Sequence, residues 1–142
     1  MAPDNGMATP VPVVNPEVKV FWDATAEGRL LLPKCQDCAT LIWFPRPFCP
    51  ACGSLKIDWV QASGKGTIYS FTVNRRGAGD LAEYKDPVAY VLAYVELEEG
   101  PRIMTNIVGC DPDSVKIGQA VEVVFHDTGE GSALYRFKPA GA

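Results

Sequence analysis

The sequence predicts a mainly β fold, with an N-terminal helix, a small zinc ribbon and a five-stranded barrel of the OB type. Two C-x2-C hooks, Cys35 with Cys38 and Cys49 with Cys52, predict the ribbon. After the hooks, five β-rich runs are separated by turn residues, and an irregular piece stands between the third and fourth runs. This layout matches a Greek-key OB barrel, with a split sandwich as the alternative.

Residues 16–27 are predicted to form the helix. Asn15 can cap its first turn, and Gly28 is the expected stop. Phe21 and Trp22 belong to an apolar face with three- and four-residue spacing. These two rings are therefore the expected anchors of the helix.

The remaining elements are predicted as strands. In the ribbon they cover residues 29–34, 41–44 and 55–62, and in the barrel residues 67–74, 88–97, 102–108, 121–126 and 134–138. The glycines of the GKG stretch at 64–66 are interpreted as a flexible start of the barrel. The predicted organisation is a flexible leader (1–14), an N-terminal helix (15–28), a zinc ribbon (29–62) and an OB-fold domain (63–142).

The four hook cysteines suit a tetrahedral Zn²⁺ ion, because a C-x2-C turn lets both thiolates of a hook converge on one metal. Four sulfur ligands fill the coordination sphere, so the predicted zinc is structural rather than catalytic. Two disulfides and a rubredoxin-like iron site are the alternatives. A C-x2-C pair closes a strained disulfide loop, and the ten-residue spacer between the hooks favours zinc over iron. Cys110 is expected to be a bystander.

Composition excludes several classes of protein. The chain has 142 residues and a formal charge of −4, which argues against a general nucleic-acid binder. We expect no transmembrane helix, because no run reaches about 18 apolar residues. With no basic residue before Lys19 and no apolar signal segment, the reduced cysteines indicate the cytoplasm.

The sequence predicts no catalytic residues. Its single histidine, His126, stands at the end of a predicted strand, beside Asp127 but pointing to the opposite face. No G-x-S-x-G, H-E-x-x-H or P-loop motif is present. We therefore expect His126 to be an ordinary strand-end histidine.

The order of these motifs resembles that of the DUF35 family. The resemblance covers residues 15–140 and is carried by FWD…EGRLLLPKCQDCATLIWFPRPFCPACGS, GKGTIYSFTV, PVAYVLAYVELEEGPRIMTNIVG and IGQAVEVVF…LYRFKPA. It implies an N-terminal helix, a rubredoxin-like zinc ribbon and a C-terminal OB fold. It also implies a partner of acyl-CoA enzymes rather than an independent catalyst.

The implied function is a non-catalytic subunit of a hetero-oligomer with a thiolase-fold aldolase or thiolase, in steroid side-chain or related lipid degradation. One alternative is an acyl-CoA-binding module that partners a MaoC-like enoyl-CoA hydratase. Another is a nucleic-acid-binding OB protein, which the acidic charge disfavours.

Three basic residues flank the hooks, namely Lys34, Arg46 and Lys56. They can balance the charge of the thiolates, or they can bind the phosphates of coenzyme A, and both roles remain open. A partner interface is predicted from large aromatic side chains, from two arginines that precede a glycine-rich loop at 77–86, and from a tyrosine of that loop. Its residues are Phe21, Trp22, Trp43, Phe44, Phe48, Arg75, Arg76 and Tyr84.

Overall fold

The computed structural model of the chain describes residues 6–75 and 89–141. A single α-helix, α1, and seven strands form the regular structure of these residues. In chain order they are α1 Lys19–Ala26, β1 Leu31–Cys35, β2 Ile57–Gln61, β3 Lys65–Asn74, β4 Tyr90–Leu97, β5 Arg102–Ile107, β6 Ala120–Asp127 and β7 Ala133–Pro139. A short 3-10 helix, Pro112–Ser114, precedes β6.

Strands β3 to β7 close into a barrel with the order β3-β4-β5-β7-β6. The pairs are antiparallel except for β5 and β7, which run parallel where Ile107 meets Phe137. Side chains alternate along β4, so that Val91, Ala93 and Val95 fill the interior. The predicted five-stranded barrel is confirmed, and the split sandwich is wrong.

The glycines at the start of the barrel serve close packing rather than flexibility. A Cβ atom on Gly66 would lie 2.6 Å from the carbonyl oxygen of Glu96 and 2.7 Å from Val95 Cγ1. Gly64 has a φ of +81°, and a Cβ there would lie 2.6 Å from Val123 Cγ1. The interpretation of this stretch as flexible is therefore wrong, because β3 can approach β4 this closely only without a side chain.

Helix α1 begins three residues later than predicted, because residues 16–18 form a turn. The carbonyl and side-chain oxygens of Asn15 both accept from the backbone N–H of Val18, at 3.2 and 3.3 Å. Asn15 therefore caps this turn rather than the helix itself. Gly28 ends the element with a φ of +76°, as predicted. The helix packs on β1, β6 and β7.

Strand β2 pairs with β1 over all five of its residues, which gives the ribbon a two-stranded antiparallel sheet. The predicted strand at 41–44 does not form. Leu41 makes one isolated bridge with Lys34, and Ile42 N–H donates to the carbonyl of Pro33 at 2.8 Å. Prolines at 45 and 47 follow immediately and cannot donate to a ladder, so pairing stops after this contact.

The buried side chains form two clusters. The larger one joins α1, the start of β1 and the barrel interior, and it includes Phe21, Leu32 and Phe137. The smaller one lies in the ribbon and consists of Cys35, Ile42 and Cys49, with Ile57 packed against it. The ribbon therefore has its own small core, built around two of the four hook cysteines.

Within the described residues, no helix has the length and apolar character needed to cross a membrane.

Candidate metal centre and surrounding surface

Both hooks fold into the same turn, which we call a knuckle. The carbonyl of Cys35 accepts from Ala39 N–H at 2.9 Å, and the carbonyl of Cys49 accepts from Gly53 N–H at 2.8 Å. The residue that ends each turn has a left-handed backbone, with a φ of 62° at Ala39 and 76° at Gly53. Glycine adopts this conformation without strain, whereas nothing in the sequence marks Ala39, because alanine rarely adopts it.

The two knuckles bring four thiols together. The sulfur atoms of the four hook cysteines all lie within 4.8 Å of one another. Across the knuckles, the Sγ atoms of Cys35 and Cys52 are 3.6 Å apart, as are those of Cys38 and Cys49. Tetrahedral Zn–S bonds of about 2.3 Å would place sulfurs roughly 3.8 Å apart, so these residues fit zinc. All four are thiols rather than disulfides.

The site is half covered by the ribbon. Cys35 and Cys49 are buried beside Ile42, whereas Cys38 and Cys52 are exposed. This arrangement shields one side of the ion and, with four sulfur donors, leaves no position for a reacting water. The predicted structural zinc site on Cys35, Cys38, Cys49 and Cys52 is confirmed.

The ionisation of the thiols divides in the way expected for a metal-binding cluster. Hydrogen bonds from the side chain and backbone of Thr40 lower the pKa of Cys38 to about 6. The backbone N–H of Ser54 favours the thiolate of Cys52, but contacts with the thiols of Cys38 and Cys35 raise its pKa to about 12. Neighbouring sulfurs cannot all carry negative charge without a cation between them.

The basic residues near the hooks occupy different settings. Lys34 is half-buried on β1, and Arg46 donates through Nε to the carbonyl of Phe44 at 3.1 Å. Lys56 is exposed, with its Nζ 3.9 Å from a carboxylate oxygen of Asp37. None of these contacts tests a role in binding coenzyme A, which stays a prediction.

Five aromatic rings connect the ribbon, the helix and the barrel. The ring centre of Phe21 lies 5.0 Å from Trp22, 5.6 Å from Trp43, 6.2 Å from Phe44 and 5.7 Å from Tyr135. Edge-to-face contacts predominate, which is the favourable geometry for such rings. We call this set the aromatic junction. Sequence analysis missed Tyr135 because it stands on β7, far along the chain from the other four.

The predicted interface residues are divided between the core and the surface. Phe21 is fully buried and Trp22 is 8% exposed, so in this chain both are core residues rather than surface residues. Trp43 is half-buried, whereas Phe44 and Phe48 keep 41% and 45% of their surface exposed. The exposed part of the predicted aromatic interface is therefore Phe44 and Phe48.

Arg75 is exposed and pairs with the carboxylate of Asp113. Arg76 and Tyr84 lie outside the described residues, as does the whole glycine-rich loop. Their roles at an interface stay predictions.

His126 lies at the end of β6, as its second-last residue, and is buried. Its Nδ1 atom is 2.9 Å from Nη1 of Arg136, which can only donate, so the imidazole accepts through Nδ1. Asp127 points elsewhere and accepts from Gly129 N–H at 2.8 Å. The expectation that His126 does not form a His–Asp catalytic pair agrees with these contacts.

Comparisons with known proteins agree with this fold and site. The ChsH2 rubredoxin-like zinc ribbon domain matches residues 22–58, and the ChsH2 C-terminal OB-fold domain matches residues 59–126. The chain is thus a zinc-ribbon and OB-fold protein. It is 41% identical over 113 residues to a DUF35 domain-containing scaffold protein of Methanothermobacter thermautotrophicus. The matched region covers 75% of this chain and 83% of that relative. The chain belongs to the DUF35 family.

Other relatives are named as parts of acyl-CoA enzymes. A probable enoyl-CoA hydratase alpha subunit of Thermomonospora curvata is 37% identical over 131 residues. The matched region covers 92% of this chain but only 40% of that relative. Benzoylsuccinyl-CoA thiolase subunit BbsA of Thauera aromatica is 28% identical, and the matched region covers 89% of this chain and 91% of that subunit. A chain of the solved Ltp2-ChsH2(DUF35) aldolase superposes with a TM-score of 0.79 at 36% identity, covering 92% of this chain and 99% of that one.

Proposed function

We infer that this chain is a non-catalytic subunit that docks on a thiolase-superfamily enzyme, an aldolase or a thiolase, acting on acyl-CoA thioesters. The observation that carries the proposal is the likeness to the DUF35 chain of the Ltp2-ChsH2 aldolase over nearly its whole length. This chain is also similar to a thiolase subunit over nearly the whole length of both chains, which supports the same class of partner.

The chemistry of the described residues supports a non-catalytic role. The four thiols fill the coordination sphere of the zinc, so the ion would have no open position for substrate. The only histidine is buried against Arg136 and is inaccessible to a thioester. The acid, base and nucleophile of the reaction would therefore come from the partner enzyme.

The surface beside the metal centre is one candidate for contact with that enzyme. Phe44 and Phe48 each expose a large ring on the spacer between the hooks. Buried at an interface, each ring would contribute roughly 1.5–3 kcal/mol. Lys34, Arg46 and Lys56 stand on the same lobe and would meet the phosphates of a coenzyme A shared with the partner. We place the reaction in the degradation of steroid side chains or related lipids.

A second candidate partner follows from a specific observation. One relative is named as a hydratase alpha subunit, and this chain spans 40% of its length. A DUF35 unit is therefore found within a longer hydratase subunit, which supports a hydratase as the alternative partner in trans.

The test is expression of the tagged chain together with the enzymes encoded by its genomic neighbours, followed by mass spectrometry of the purified complex. We expect a stoichiometric thiolase-fold enzyme, acyl-CoA turnover by the complex and none by the chain alone. Aldol cleavage, thiolysis or hydration by the isolated chain would refute the non-catalytic role. Capture of a hydratase and of no thiolase-fold enzyme would favour the second candidate.

A further inference from the structure

The outer face of β3, β4 and β5 exposes large apolar side chains that the aromatic junction does not use. Tyr69, Leu92, Tyr94 and Met104 are between 37% and 49% exposed. Single exposed apolar residues are normal on a protein surface, but a contiguous group marks a binding surface.

The strand register makes three of these side chains, Leu92, Tyr94 and Met104, neighbours. Tyr94 on β4 stands opposite Met104 on β5, and Leu92 lies two residues along the same face. Together with Thr72 and Ser70 of β3, they line a surface groove of about 220 Å³. We call it the barrel groove.

Charge on this face is balanced within the face itself. Arg102 stacks over the ring of Tyr69 at 3.7 Å and donates through Nε to Glu96 at 2.8 Å. The neighbouring stretches of β4 and β5, residues 90–94 and 103–107, contain no charged side chain. The face is therefore neutral on a chain whose formal charge is −4. A neutral face rich in Tyr and Met, with Arg, has the composition of a protein interface rather than that of a polyanion site.

The same face already holds a piece of polypeptide. A second groove of about 400 Å³ adjoins the first, and Leu92 lines both. Leader residues Met7 and Pro10 form one wall of it, and the carbonyl of Ala8 accepts from Nη2 of Arg136 at 2.5 Å. The covered end of this continuous surface is occupied by a mostly apolar chain segment without regular secondary structure.

We propose that the barrel groove binds an extended, uncharged, apolar segment of the enzyme on which this chain docks. The inference rests on the proposed function and adds a second contact surface to it. A specific interface needs about 800 Å² and roughly 20–30 residues from each partner, and two exposed rings on the ribbon cannot supply that area. Tyr69, Leu92, Tyr94 and Met104 supply a further apolar centre.

The test uses the full chain and the thiolase-fold enzyme that co-purifies with it. Tyr94→Thr combined with Met104→Thr removes the apolar centre and retains residues suited to strands. We expect its Kd for the enzyme to rise at least tenfold. The control is Ile117→Thr, which changes a residue that is 69% exposed and does not line the groove, and it should bind like wild type.

Several results would overturn the inference. Binding by the double variant within twofold of wild type would do so while leaving the proposed function intact, whereas failure of the wild-type chain to bind any thiolase-fold enzyme would refute both. Sedimentation showing a homodimer that the double variant loses would assign the groove to a second copy. RNA binding at about 200 mM salt that the double variant loses would assign it to nucleic acid.

A second measurement covers the case in which the double variant does not fold. A photo-crosslinking benzoyl-phenylalanine at position 94 replaces an aromatic ring that is 43% exposed, and it should crosslink to the enzyme. The same group at position 117 should not. Crosslinks from position 117 alone would contradict the assignment.

Discussion

At the level of single residues, the metal centre depends on two backbone positions that carry no ligand. Ala39 and Gly53 end the two knuckles with left-handed φ values, and each donates its N–H to the carbonyl of the first cysteine in its hook. A left-handed backbone costs an L-residue about 1–2 kcal/mol, whereas glycine adopts it freely at the expense of a more flexible unfolded chain. The first knuckle is therefore strained relative to the second.

This difference predicts opposite effects of exchanging the two residues. Ala39→Gly should stabilise the zinc-loaded protein by about 0.5–1 kcal/mol, and Gly53→Ala should destabilise it by a similar amount. The measurement is urea unfolding at a fixed concentration of free zinc, with the two variants serving as controls for each other. Equal effects of the same sign would show that backbone strain does not govern the knuckles.

At the level of elements, the aromatic junction holds three units in one arrangement. Phe21 belongs to α1, Trp43 to the ribbon spacer and Tyr135 to β7, and their ring centres are 5.6 to 5.7 Å apart. Burial among these rings disfavours the phenolate and raises the pKa of Tyr135 to about 12 from its ordinary value of 10. The folded protein therefore holds this proton more tightly than the unfolded chain does.

The raised pKa predicts a loss of stability in alkali. The contribution of Tyr135 is fully present below pH 10 and disappears as the pH rises toward 12, because only the unfolded chain releases the proton readily in that window. Between pH 9 and 11, wild type should lose about 1–1.5 kcal/mol more than Tyr135→Phe. Urea unfolding at both pH values measures the difference. Equal losses in wild type and Tyr135→Phe would contradict the prediction.

The aromatic junction also marks where sequence analysis succeeds and where it fails. The hooks and the barrel strands were predictable because their signals are local, namely ligand spacing and alternating side chains. The strand expected at 41–44 was wrong because Pro45 and Pro47 stop the pairing, and the rings of Trp43 and Phe44 pack in the junction instead. Neither the pairing of Trp43 with Tyr135 nor that of Ala8 with Arg136 has a local signal, since each joins residues that are distant in sequence.

At the level of the whole molecule, two cores of unequal size divide the effects of metal. The ribbon core contains two zinc ligands, Cys35 and Cys49, together with Ile42. The larger core, around Phe137 and the barrel interior, contains no ligand. Zinc binding therefore supplies folding free energy to the ribbon directly, while the barrel retains its own buried apolar surface.

We therefore predict that loss of zinc melts the ribbon and spares the barrel. Cys38→Ser should lose the zinc, and amides of residues 35–57 should exchange with solvent much faster, whereas β3 to β7 should stay protected. Elemental analysis and hydrogen exchange measure the two effects. Cys110→Ser is the matched control, because Cys110 lies outside the four-thiol cluster and packs against the larger core. Full zinc content in Cys38→Ser would refute the four-ligand site. Loss of protection in the barrel as well would show that the aromatic junction joins the two cores into one cooperative unit.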